Sequence, residues 1–209
     1  AHVLQALGRE RQLVPADLQR AALGEQRHPR VAQRMARVAG LGHGGALEQG
    51  MSPDKRFTDR AVEIPLPDGT VWRPSDSSEP TGQRMTAREG LIYSKNTITA
   101  QVMQEVGARK TAELAPSMGV NRSKLDEVPA LALGTSPVTL LEMVNAYSTI
   151  AALGEYRQPI FITRITDKNG NVLARFENQS QRVLSPKTVE NLVNMLRGAV
   201  DQGTGQAVR

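Results

Sequence analysis

The sequence of 209 residues predicts an α+β fold that is mostly helical and carries two small β-hairpins. Two kinds of signal support that expectation. Beyond Gly82, a series of stretches opens on a capping hydroxyl or a proline, or closes on a glycine, which are the residues that satisfy or spare the unpaired backbone groups at helix ends. Two short runs fold back on Asp68-Gly69 and Asn169-Gly170, dipeptides whose backbone readily adopts a tight hairpin turn.

The chain divides near Gly45. Before Lys55 every Lys or Arg position is an arginine, and before Phe57 there is no aromatic residue. Residues 1–45 therefore form an arginine-rich leader, and 46–209 form the domain. Within the leader, Pro15 precedes a helix-like piece over 16–23 and Pro29 precedes another over 30–38. Both lack bulky apolar anchors, so they read as poorly packed helices or disorder, and the composition suggests a shifted reading frame or a foreign leader.

From Ala46 the local signals agree. A helix end at Gln49 is closed by Gly50, and Ser52-Pro53-Asp54 is a turn. Val62 to Leu66 and Thr70 to Trp72 form the first hairpin, and Pro74 to Gly82 is a polar loop. Thr86 and Glu89 make a capping box that opens a short helix through Tyr93. Helices follow over 97–106 and 109–118, closed by Gly107 and Gly119. The longest helical pattern, 137–153, is expected to be capped by Ser136 and to bury Leu140, Leu141, Val144, Tyr147 and Ala151 on one face. Ile160 to Thr166 and Val172 to Phe176 make the second hairpin. Ser185 caps a last helix over 186–200, and a tail follows through Gly203-Thr204-Gly205.

Composition excludes several function classes. The chain has no cysteine, hence no disulfide, thiolate nucleophile or Cys-based zinc site. His2, His28 and His43 lack metal-ligand spacing, so no metal and no cofactor is expected. The formal charge of +5 is scattered rather than clustered, which argues against a nucleic-acid surface. No apolar run approaches the roughly 20 residues that span a bilayer, and no secretory signal is evident.

The stretch REGLIYSKNTITAQVMQE, at Arg88 to Glu105, resembles the transpeptidase domain of class A penicillin-binding proteins. The likeness continues through VWRPSDSS at Val71 to Ser78, LALGTSPVTLLEMVNAYSTIAALG at Leu131 to Gly154, ITDKNGNVL and the closing GTGQAVR. That family acylates a serine in an S-x-x-K motif, completed by S-x-N and K-T-G motifs. Ser94-Lys95-Asn96 matches S-x-N. By resemblance Ser94 is the catalytic proton relay and Asn96 holds the substrate, because a hydroxyl can pass a proton and a carboxamide can donate and accept at once. Lys95 takes the variable position and is expected to point elsewhere.

The resemblance also marks what this chain lacks. Its one literal S-x-x-K, Ser52 to Lys55, follows the ALEQG segment and contains a proline in a turn, so it is rejected as the nucleophile. Lys110-Thr111-Ala112 belongs to a helix and is not K-T-G. The expectation is the helical part of a serine transpeptidase, its central sheet largely missing, apolar surface exposed where that sheet would pack, and no acylation by the chain alone. The implied partners are peptidoglycan stem peptides and, in the intact parent, β-lactams. That parent would be anchored in the bacterial inner membrane and face the cell wall. Two rivals remain: a non-catalytic module that binds peptidoglycan or a partner, and a basic helical scaffold or nucleic-acid binder. Trp72 and Tyr93 read as packing residues, and Asp76 and Glu79 as solvated loop carboxylates.

Overall fold

A computed structural model describes residues 39–208, so the expected leader helices, His2 and His28 lie outside the described residues. The first helix, α1 (Ala39–Glu48), crosses the expected boundary at Gly45. Four of its ten residues are glycines, each costing about 1 kcal/mol of helix propensity relative to alanine. Such a helix depends on its surroundings. Its small faces admit neighbours closely: a Cβ on Gly44 would meet Leu192 Cδ2 at 3.4 Å, and one on Gly42 would meet Ala132 Cβ at 3.7 Å. Leu41, His43 and Leu47 are buried with it.

The Ser52 turn leads into β1 (Arg56–Thr58), which pairs antiparallel with β4 (Arg84–Thr86) in the register Phe57 to Met85. Between them, β2 (Ile64–Pro65) and β3 (Val71–Trp72) form the expected first hairpin, shorter than the sequence suggested. Its turn is fixed by Asp68, whose carboxylate accepts from the Thr70 amide and hydroxyl. Trp72 packs against Val62, Ile64 and Ala100, as expected of a packing residue.

Helix α2 (Ala87–Ile92) carries the expected capping box, with the Thr86 hydroxyl accepting from Glu89 N and the Glu89 carboxylate accepting from Thr86 N. After a three-residue break come α3 (Asn96–Val106) and, beyond Gly107 at φ 86°, α4 (Ala108–Ser117). A 3-10 turn, Pro129–Leu133, packs on α3. Ile98, Val102 and Val106 are the buried stripe of α3, at the spacing of one helical face.

Helix α5 (Leu140–Ala151) corrects two expectations. Its cap is Thr139, in a capping box with Glu142; Ser136 instead sits buried and accepts from the Asp126 amide. The buried face is Met143, Ala146 and Ile150 together with the polar residues Glu142, Asn145 and Thr149. Leu140, Leu141, Val144 and Tyr147 face outward, Val144 at 53% exposure. They join Ile160, Phe161 and Ile162 in the exposed apolar set.

Strands β5 (Glu155–Arg157) and β8 (Ser180–Arg182) pair around the second hairpin, β6 (Arg164–Thr166) with β7 (Val172–Arg175). The sheets of the described residues are thus two-stranded pairs, and no larger sheet occurs among them. Helix α6 (Pro186–Asp201) starts at Ser185, whose hydroxyl accepts from Thr188 N, as predicted. Its Val189, Leu192 and Met195 enter the main core with Leu41, Leu47, Met118, Met143, Ile150 and Leu184. A last turn, Gln206–Val208, follows.

Candidate active site

The site is the junction between α2 and α3. Helix α2 ends in a Schellman closure: Ser94 N donates to Leu91 O at 3.2 Å and Lys95 N donates to Gly90 O at 2.8 Å. The residue between those bonds must be left-handed, a position usually given to glycine. Here it is Ser94 at φ 53°. A non-glycine residue there costs about 1 kcal/mol or more, and such strain collects at functional positions. Lys95 is then the N-cap of α3 and Asn96 its first residue.

Ser94 is exposed, and its Oγ lies 2.8 Å from Thr204 Oγ1 in the tail. That tail is itself fixed, since Thr204 N donates to Ile92 O and Gly205 N to Ala199 O. Gly203 is required there because a Cβ would collide with the Ile92 carbonyl. Asn96 is half-buried; its Nδ2 donates to Ser75 O at 2.7 Å, and its carboxamide oxygen takes no hydrogen bond among the described residues. The two side chains selected from sequence thus sit together at one helix mouth, open to solvent, with a hydroxyl pair and a free amide acceptor on offer.

Beneath them lies a cluster that sequence reasoning missed. Asp59 is fully buried and accepts from Thr81 N at 3.0 Å, Thr81 Oγ1 at 2.9 Å and Thr97 Oγ1 at 3.0 Å. Lys95 Nζ stands 3.2 Å from Asp59 Oδ2 and 3.9 Å from Asp76 Oδ2. Burial alone would raise the Asp59 pKa, but the Thr81, Thr97 and Lys95 hydrogen bonds outweigh it and hold it below the ordinary carboxylate value. Asp76 corrects the expectation of a solvated carboxylate: its side chain is 5% exposed and accepts from Asn96 N at 2.6 Å and Thr97 Oγ1 at 3.0 Å. Glu79 is exposed as expected. Lys95 points into this cluster. Tyr93, expected in the core, is 44% exposed at the same corner.

The other motif fragments do not assemble a nucleophile. Ser52 Oγ accepts from Asp54 N within its turn, while Lys55 Nζ is paired with Glu105 on α3 at 2.5 Å. Lys110 reaches Gln49 at 2.8 Å from within α4. Among the described residues no His, Asp or Glu cluster is suited to a metal ion, and no helix is long and apolar enough to cross a membrane.

The family model of the penicillin binding protein transpeptidase domain matches residues 43–209. Penicillin-binding protein 1A of Rickettsia typhi is 31% identical over 188 residues, taking in 78% of this chain and 24% of that protein. Its counterpart in Aquifex aeolicus is 33% identical over 138 residues, covering 66% of this chain and 19% of the relative. The chain therefore spans about a quarter or less of these relatives. The crystal structure of penicillin-binding protein 1A from Haemophilus influenzae superposes with a TM-score of 0.75 at 24% identity, over 83% of this chain and 31% of that one. An imipenem acyl-enzyme complex of penicillin-binding protein A from M. tuberculosis superposes at 0.66 with 19% identity, over 82% and 43%. At those identities the structures speak for the fold. The family-model match over residues 43–209 and the 31% identity with the Rickettsia protein show that this chain belongs to the transpeptidase domain family of class A penicillin-binding proteins.

Proposed function

We propose that this chain is the helical part of a peptidoglycan transpeptidase, an enzyme that crosslinks stem peptides by acyl transfer through a serine ester. Ser94 relays the proton and Asn96 holds the substrate backbone. The observation that carries the reading is that an exposed Ser94 hydroxyl, at the end of α2, and an Asn96 carboxamide whose oxygen takes no hydrogen bond among the described residues, at the start of α3, lie two residues apart at one junction. Penicillin-binding protein A from M. tuberculosis, which shares this fold, forms acyl-enzyme complexes with imipenem and penicillin G. The parent would work at the inner membrane facing the cell wall.

Acylation also needs a serine nucleophile with a lysine base and an oxyanion hole. Ser52 and Lys55 make no such pair, and Lys110-Thr111-Ala112 supplies no strand. The chain alone therefore crosslinks nothing and forms no covalent penicillin adduct. Incubation with a fluorescent penicillin followed by denaturing electrophoresis and intact mass measurement tests this. No label and no added mass are expected; a labelled band that denaturation does not remove refutes it. The second reading, a module that binds stem peptide without turnover, is favoured by the same free amide oxygen and predicts reversible binding in place of the adduct.

A further inference from the structure

We infer that Lys95, Asp59 and Asp76 are positioning residues for the substrate-holding amide, a device within this chain that presets Asn96 before any ligand arrives. The inference rests on the reading of Asn96 as the substrate clamp. Three separate segments meet in the cluster: the end of β1 through Asp59, the 74–82 loop through Asp76 and Thr81, and the first turn of α3 through Lys95, Asn96 and Thr97. Asn96 is gripped twice by that loop, at its backbone amide by Asp76 and at its carboxamide by Ser75 O. Ser75 O can only accept, so the carboxamide nitrogen faces the loop and the oxygen faces the site.

The charges explain why the middle residue is a lysine. Thr97 Oγ1 is 3.0 Å from both Asp59 Oδ1 and Asp76 Oδ2, and one hydroxyl has a single proton to share between two carboxylates. Two carboxylates drawn that close repel each other, and a cation between them offsets the repulsion. Lys95, with its side chain 15% exposed, is that cation, and Ser78 Oγ lies 3.5 Å from the same ammonium. The N-terminus of α3 adds its own positive end to the balance, because Asp76 takes the first amide of the helix. None of the partners belongs to an S-x-x-K or K-T-G element, so the presetting needs neither.

The test uses the whole 209-residue chain, labelled with nitrogen-15 and titrated with a synthetic stem pentapeptide while the Asn96 side-chain amide signals are followed. Two variants break the cluster: Asp76→Asn, which keeps an acceptor, and the paired Asp59→Asn with Lys95→Met, which removes one acid and the cation together, leaves the net charge of the cluster unchanged, and keeps the Asn96 N and Thr97 Oγ1 bonds to Asp76. Each is expected to weaken peptide binding at least tenfold and to speed exchange of the Asn96 backbone amide. Glu142→Gln, which destabilises the chain elsewhere, is expected to leave both unchanged. If the peptide does not bind the parent chain, or binds Asn96→Ala equally well, the reading of Asn96 fails. If Asn96→Ala abolishes binding while both cluster variants bind like the parent, the positioning inference alone is overturned.

Discussion

Replacing Glu142 by glutamine is expected to remove about 2 kcal/mol of stability at neutral pH and to do so less as the solution is acidified. Its carboxylate is a hub. Oε1 accepts from the amides of Arg122 at 2.7 Å and Ser123 at 2.8 Å, and Oε2 from the Ser123 hydroxyl at 2.6 Å and the Thr139 amide and hydroxyl at 2.9 Å. It therefore caps α5 and ties the 121–123 loop to it. Burial alone would push the carboxyl up, but the bonds from Ser123, Thr139 and Arg122 outweigh it and bring the pKa from 4.5 to about 2. At about 1.36 kcal/mol per pH unit, that gap sets a ceiling of about 3 kcal/mol. The carboxylate borders a cavity of about 100 Å³ beside Arg122 and Asn145, so solvent screening lowers the expected figure to about 2 kcal/mol. Because the folded pKa lies below the unfolded one, this stability is complete above pH 4.5 and is lost as pH falls toward 2. A glutamine must turn an NH2 group toward donors on one side, leaving them without an acceptor. Urea unfolding of both proteins at pH 7 and pH 3 gives the measurement. Equal stabilities at pH 7, or a difference that stays constant down to pH 3, would refute the reasoning.

Ser94→Gly is expected to be more stable than Ser94→Ala by about 1 kcal/mol in urea melts, since both lose the hydroxyl and only alanine keeps the left-handed strain. On α5, Met143→Ala should cost about 2 to 4 kcal/mol while Val144→Ser stays within about 0.5 kcal/mol and lessens light scattering at high protein concentration. The reverse order would restore the apolar face read from sequence. Gly203→Ala should free the tail, seen as faster amide exchange at Thr204 and Gly205, with α5 unaffected.

What could be read in advance follows from how local each signal is. Helices α3, α4 and α6 and the Asp68 and Asn169 turns are written in caps, glycines and short-range bonds, and the structure returns them within a residue or two at most ends. The pairs β1 with β4 and β5 with β8 were not legible, because segments such as RFT, RMT, EYR and SQR are too short and too polar to show alternation, and their partners lie far along the chain. On α5 the apolar residues at Leu140, Val144 and Tyr147 have helical spacing, yet Thr139 and Glu142 orient the helix so that the face holding Met143, Ala146 and Ile150 turns inward. The Thr139-x-x-Glu142 capping pattern was the available cue. For the candidate site, Ser94 and Asn96 were singled out by resemblance alone, whereas Asp59 and Asp76 lie in loops where nothing periodic marks a buried carboxylate. The crowding of hydroxyls and an acid from Ser75 to Ser78, in the polar loop between β3 and β4, was the trace that Asp76 left.

The bond between Ser94 and Thr204 joins positions 110 residues apart. A contact of that separation closes late, since loop entropy must be overcome by other packing first. The Ser94 hydroxyl therefore acquires its neighbour only after α6 has docked on α2, so any lesion that slows that docking leaves a chain with native helices and an unfinished corner at the α2–α3 junction.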